Sequence, residues 1–317
     1  MQNSRGMATA AIILLLVPLA GCGSSASERS TETSAASASP TTDSTTEPSD
    51  SSPPSSIDSP TTDATAATDA TRPRASGGAL AAGPVTYIAL GDSLTAGDGD
   101  DTYQGYVGVI AAAIGAVPGR EDVSLNNLGA SGWDSTMMVD GQDDAPGQLG
   151  QAVDLANEAA AGGRAVLATV LIGSNDMWYV YEYGPPEGTP AENEDAAVET
   201  YRANLDRTVQ ELTDAGAVVV IGLPDDQSLR PSVADIDRLH DFLPDVTAEE
   251  VQQMAVMTGR LDQVAEEIAA DHGVLTVDTN APFWADAGSM ADDGIHPNTA
   301  GYADLAELWL ATIRGLL

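Results

Sequence analysis

Four short blocks of this chain, in order from residue 91 to residue 298, carry side chains that could do chemistry together. The first is Gly91-Asp92-Ser93-Leu94 and the second contains Gly132 within Asn126 to Ser135. The third is Gly173-Ser174-Asn175-Asp176, and the fourth is Asp293-Gly294-Ile295-His296, followed by Pro297 and Asn298. A serine hydroxyl is a poor nucleophile until a base takes its proton. Histidine supplies such a base, and a carboxylate behind the imidazole orients it and offsets the charge it gains. A glycine N–H and an asparagine amide can stabilise the oxygen of a tetrahedral intermediate. Singly, each has a plainer explanation: Ser93 suits a helix cap, and glycine and asparagine are turn residues. The ordered set is a kit for acyl transfer.

The choice of base is narrow, because the chain has three histidines. His240 in Leu239-His240-Asp241 and His272 in Asp271-His272-Gly273 read as surface structure, His272 at a helix end where its charge suits the dipole. His296 sits in a loop punctuated by Gly294 and Pro297. Asp293 and Asp292 both lie close enough behind it to orient the ring, and spacing alone does not rank them. In the second block Gly129 and Gly132 compete as oxyanion donor. Gly132 is preferred for its place before Trp133-Asp134-Ser135. Trp133, Met137, Met138, Met177, Trp178 and Tyr179 flank the oxyanion candidates and either line a pocket for acyl or alcohol or simply pack. Asp98-Gly99-Asp100-Asp101 hints at a calcium loop, but the pattern is incomplete and reads as solvated surface. There is no H-E-x-x-H and no Cys/His cluster, so zinc is not expected.

These residues need elements to position them. Val85 to Leu90 is a short apolar run ending at glycine, which reads as a buried strand. Val123 to Asn127, Ala165 to Ile172, Ala217 to Leu223 and Val274 to Val277 read as four more. Between them, Tyr106–Val117, Gln148–Ala161, Glu192–Ala215, Thr247–Ala270 and Thr299–Leu316 carry helical composition or spacing. Continuous apolar strands alternating with helices predict an α/β fold, a parallel sheet covered on both faces and flavodoxin-like in outline. Sites in such sheets lie beyond the carboxyl ends of the strands. Ser93, Gly132 and Asn175 each follow a strand there.

The blocks resemble those of the SGNH, or GDSL-type, hydrolases (lipases and esterases), named for Ser, Gly, Asn and His. Here these match Ser93, Gly132, Asn175 and His296, and the likeness spans essentially all of Gly83 to Leu317. It implies a three-layer α/β/α sandwich around a parallel five-stranded sheet. It implies a serine esterase with no metal or other cofactor, with Ser93, Asp293 and His296 catalytic and Ser93, Gly132 and Asn175 forming the oxyanion hole. It also ranks Asp293 over Asp292.

Composition bounds the partners. The chain of 317 residues has 48 Asp and Glu against 12 basic residues, all of them Arg, for a net charge of −36. From Gly83 on, 40 acids face eight Arg, a balance of −32. Such a field repels nucleic acid and anionic membranes and suits a neutral or cationic ester, whether small molecule, lipid or polysaccharide. The first 22 residues read as a lipoprotein signal peptide: Arg5, an apolar run from Ala8 to Ala20, and Leu19-Ala20-Gly21-Cys22, which resembles a lipobox. Cys22 is the one cysteine in the chain, which rules out a disulfide within a monomer and makes it the lipidation site. Residues 23–82 are rich in Ser, Thr, Ala, Pro and Asp and read as a disordered tether; residues 83–317 form the hydrolase domain. The expectation is a monomeric esterase held outside the cell membrane by lipid, or released from it. Two alternatives are a carbohydrate O-acetylesterase or acyltransferase on the same site, and a surface binding module without catalysis.

Overall fold

The structure, a computed structural model, describes residues 78–102, 104–183 and 190–317. Cys22, the leader and most of the tether lie outside the described residues. Five strands, β1 (Val85–Gly91), β2 (Val123–Asn127), β3 (Ala165–Leu171), β4 (Val218–Leu223) and β5 (Leu275–Asp278), form one sheet. Its order is β2-β1-β3-β4-β5 and every pairing is parallel, the flavodoxin-like order. The helices in chain order are α1 (Ser93–Ala96), α2 (Gly105–Gly115), α3 (Ser135–Asp140), α4 (Gln148–Ala161), α5 (Ser174–Tyr183), α6 (Pro190–Asp214), α7 (Pro231–Ala234), α8 (Ile236–Leu239), α9 (Ala248–His272) and α10 (Thr299–Ile313).

Alternate residues of each strand serve opposite layers. Ile88 and Leu90 of β1, Val166, Ala168 and Val170 of β3, and Val219 and Ile221 of β4 pack under α4, α6 and α9. Val85, Tyr87, Ala89, Leu167, Leu171, Val218 and Val220 pack under α2 and α10, where Tyr106 stacks on Trp309 with ring centroids 5.4 Å apart. This is why β1, β3 and β4 read as unbroken apolar runs: a strand buried on both faces has no polar side to show. β2, at the sheet edge, is half exposed.

Two features differ from the sequence reading. Leu80, expected within the tether, is buried in the α2–α10 layer, and its N–H donates to the Leu316 carbonyl at 2.8 Å. Arg120 holds the same segment, donating to the Leu80 and Ala81 carbonyls at 2.9 Å each. A single leucine with an arginine beside it suffices to draw a Gly/Ala stretch onto the domain. The second difference is α5, which begins within the third block, at Ser174. Its Asn, Asp and Gly neighbours look like turn chemistry in sequence, yet Met177, Trp178 and Tyr181 of this helix are buried in the core.

Candidate active site

The nucleophile candidate stands where β1 runs out. Ser93 is the first residue of α1, and the Asp92 carboxylate caps that helix by accepting the Leu94 N–H at 2.9 Å. The first N–H groups of a helix have no acceptor within it; the cap serves Leu94, and Ser93 lines the cleft. Asp92 is fully buried. Burial pushes its carboxyl up to about 6, against the hydrogen bond from Leu94 and the nearby charges of Arg230 and His296.

His296, 203 positions away, reaches the same point. Its Nε2 lies 2.9 Å from Ser93 Oγ, and its Nδ1 lies 2.7 Å from Asp293 Oδ2. The other Asp293 oxygen accepts the backbone N–H groups of Ile295 at 2.8 Å and His296 at 3.0 Å. Burial works to raise the Asp293 carboxyl, but the hydrogen bonds from the His296 ring and these two N–H groups outweigh it and bring it down to about 2. Asp292 is exposed, and its backbone carbonyl accepts from Arg238. Of the two carboxylates the sequence offers, Asp293 is the one against the ring. Ser232 secures the loop from outside, its N–H donating to the Gly294 carbonyl at 3.1 Å and its hydroxyl to the Asp293 carbonyl.

The oxyanion side is built by α5 gripping the second block. Asn175 Nδ2 donates to the Trp133 carbonyl at 2.8 Å, and the Tyr179 hydroxyl, one helical turn on, donates to the Gly132 carbonyl. Asp176 accepts the Ser135 N–H at 2.9 Å and also the Ser135 hydroxyl. Burial raises the Asp176 carboxyl to about 7, despite those two bonds. A side-chain amide has two N–H donors, so Asn175 keeps one for the cleft. Gly132, at φ +79, lies open to the cleft. Gly129 does not: its N–H donates to Asn127 Oδ1 at 3.0 Å, and a Cβ there would meet the Ala96 nitrogen at 2.4 Å. It is the glycine that lets the second block pack on α1.

Ser93, Gly132, Asn175 and His296 therefore share one cleft of about 250 Å³, walled by Leu94, Trp178, Tyr179, Phe242, Leu243 and Ile295. The flanking residues singled out in the sequence divide: Trp178 and Tyr179 line the cleft, whereas Met138 and Met177 are core. Sequence reasoning missed Phe242, Leu243 and Arg230. Arg230 lines the cleft with its charge offset, donating to both Asp225 oxygens at 3.0 and 2.8 Å and lying 4.6 Å over the Trp284 ring. No local pattern marks these residues. His240 and His272 serve elsewhere, bonding the Val246 carbonyl at 2.9 Å and Asp206 at 2.7 Å.

Among the described residues no cluster of three or more His, Cys, Asp or Glu could hold a metal. Asp100 corrects the expectation of a solvated acidic loop. It is buried, accepting from Thr102, Gln104 and Gly105 and from the Thr299 hydroxyl at 2.6 Å. Burial opposes its charge, but these bonds hold its carboxyl far below the ordinary range. It ties the loop after Ser93 to the start of α10, just past His296. In so acidic a chain, nothing in the composition distinguishes an acid that is clamped from one that is solvated.

Residues 89–303 match the family model of the GDSL-like lipase/acylhydrolases. The chain belongs to that family. As a GDSL-type acylhydrolase it is a carboxylic ester hydrolase. Solved structures similar to it include LAE5, an α/β hydrolase enzyme from the metagenome of Lake Arreo, Spain, at 21% identity and TM-score 0.47, covering 75% of this chain and 98% of that one. Axe2, an acetylxylan esterase from Geobacillus stearothermophilus, is 20% identical with TM-score 0.45, over 75% of this chain and 95% of that one. A lipase/acylhydrolase from Enterococcus faecalis is 21% identical with TM-score 0.45, over 73% and 95%. No curated protein sequence matches the chain.

Proposed function

We propose that this GDSL-type hydrolase is a serine esterase working through Ser93, His296 and Asp293. The observation that carries this reading is the unbroken hydrogen-bond chain from Asp293 through His296 to Ser93 Oγ at the cleft wall. With Nδ1–H donating to the carboxylate, Nε2 is left as acceptor, so it takes the serine proton as Oγ attacks the acyl carbonyl. The carbonyl oxygen becomes an oxyanion held by the N–H groups of Ser93 and Gly132 and the second amide hydrogen of Asn175. The imidazolium returns its proton to the departing alcohol, leaving an acyl-serine. Water enters, gives its proton to Nε2 and attacks the acyl carbon. The proton then returns to Oγ, releasing the carboxylic acid.

The cleft, about 250 Å³, lies at the small end of ligand pockets, which run from roughly 300 to 1,000 Å³. Its apolar walls suit a short acyl chain. The expected substrate is a short-chain ester of a neutral or cationic alcohol, the charge balance of the chain disfavouring polyanions. The site is offered to the outside of the cell, with Cys22 as the lipid anchor. That part rests on the apolar run before Leu19-Ala20-Gly21-Cys22. Loss of radiolabelled palmitate from a Cys22→Ser chain, with the wild type labelled, is the outcome that supports it.

The decisive experiment sets the wild type beside Ser93→Ala, using p-nitrophenyl esters from acetate to palmitate and a fluorophosphonate probe. The wild type turns over the short esters and labels with the probe; Ser93→Ala does neither. A folded Ser93→Ala enzyme at wild-type rate would sink the assignment.

A further inference from the structure

The last residue of β1, which leads into Asp92-Ser93, has no side chain to restrain it. Gly91 ends β1 at φ +152, a conformation that side-chain-bearing residues rarely adopt, and a Cβ there would meet the Leu171 carbonyl oxygen at 2.1 Å. The position must therefore be glycine, and glycine brings rotational freedom to the hinge that carries the nucleophile.

Strand pairing does not remove that freedom on the β2 side. There the strand ladder ends at Ala89 opposite Asn127. The side chain of Gln148 takes the vacant place. Its Oε1 accepts the Gly91 N–H at 2.8 Å, and its Nε2 donates to the Gly91 carbonyl at 2.8 Å. The Ala130 N–H also reaches that carbonyl, at 3.1 Å. The Gly91 N–H belongs to the peptide plane before its Cα and its carbonyl to the plane after. One amide bound to both fixes the two dihedrals between those planes. Gln148 is 1% exposed and is the first residue of α4. The preceding Gly147 packs so closely on α3 that a Cβ would meet the Val139 carbonyl at 2.2 Å. The clamp is itself held.

We propose that Gln148 is a positioning residue for the nucleophile, its amide standing in for a strand at Gly91 and setting the angle at which Ser93 leaves the sheet. This rests on Ser93 being the nucleophile. The test compares full-length wild type, Ser93→Ala, Gln148→Leu and Gln148→Glu by kcat and KM on p-nitrophenyl acetate, fluorophosphonate labelling rate and Tm. Gln148→Leu should lose about ten- to a hundredfold in kcat, the cost of a misplaced reacting group. KM should stay nearly unchanged, with labelling falling in step.

Gln148→Glu separates positioning from mere support. As a carboxylate it has no proton for the Gly91 carbonyl; protonated, it regains both bonds, and burial favours the protonated form. Its labelling rate divided by that of the wild type, a quotient that cancels the titration common to both, should approach one at pH 6. A folded Gln148→Leu at wild-type kcat, or a Gln148→Glu quotient still at the Gln148→Leu level at pH 6, overturns the proposal. If Gln148→Leu does not fold, the Glu quotient decides alone. A wild type that fails to label, or a Ser93→Ala that labels, would instead show that the nucleophile itself was misassigned.

Discussion

The two walls of the cleft hold the proposed reacting atoms by different means. The His296 wall is local: Asp293 orients a ring three positions away and accepts two N–H groups of the same turn. The Ser93 wall is assembled at long range, from the end of a central strand, a glutamine 57 positions on and a loop held by α5. A local wall concentrates its effect on chemistry when damaged. A long-range wall couples chemistry to the fold, because the groups that aim the serine also close the sheet.

The largest effect should come from the local wall. Asp293→Asn leaves the loop nearly isosteric but favours the wrong imidazole tautomer, and kcat should fall by roughly 10⁴ with Tm little changed. Gly91→Ala, on the other wall, forces a Cβ into the Leu171 carbonyl and should show first as a loss of folded protein in thermal melts. Equal effects on Tm from the two would break the contrast. Asn175→Ala comes next, removing one proposed oxyanion donor at an expected cost of about a hundred- to thousandfold in kcat.

The fourth prediction concerns pH and stability. The folded Asp176 carboxyl stands at about 7, raised from 3.8 mainly by burial. A group raised on folding adds stability that is fully present below its unfolded value and is lost as pH rises through its folded value. Asp176 thus stabilises the fold increasingly as pH falls from 8 towards 4. Asp92, raised to about 6, acts in the same sense. Asp293, lowered to about 2, keeps its contribution until pH falls below the ordinary carboxylate range. Tm should therefore rise by several degrees between pH 8 and pH 5.5, a change read directly in thermal melts. Asp176→Asn should flatten the Tm slope and leave the shape of the rate profile alone. Smallest is Tyr179→Phe, which removes the hydroxyl bond to the Gly132 carbonyl, worth about 1 kcal/mol, and should lower kcat several-fold.

The same contrast explains what could be read beforehand. His296 with a carboxylate close behind it is legible because that geometry is contained in one turn, although spacing alone leaves Asp292 beside Asp293; β1, β3 and β4 are legible because double-sided burial leaves a continuous apolar signature. Gln148 and the Asp176–Ser135 link are invisible in sequence: each joins positions more than 40 apart through residue types common on any surface. Asp100 was hidden by composition, since a clamped acid looks like any other among 48 acidic residues. Leu80 was hidden by its neighbours, since the arginine that receives it lies 40 residues on.

Leu80 also decides how the domain is held. It sits at the amino edge of the sheet, beside Leu316. The seven residues of β1, roughly 20 Å of extended chain, separate that edge from the end where Ser93 stands. A bead, fusion partner or surface joined through the chain before Leu80 meets the domain at the end of the sheet opposite Ser93. Immobilised in that direction, the enzyme should turn over a soluble ester as fast as it does free in solution.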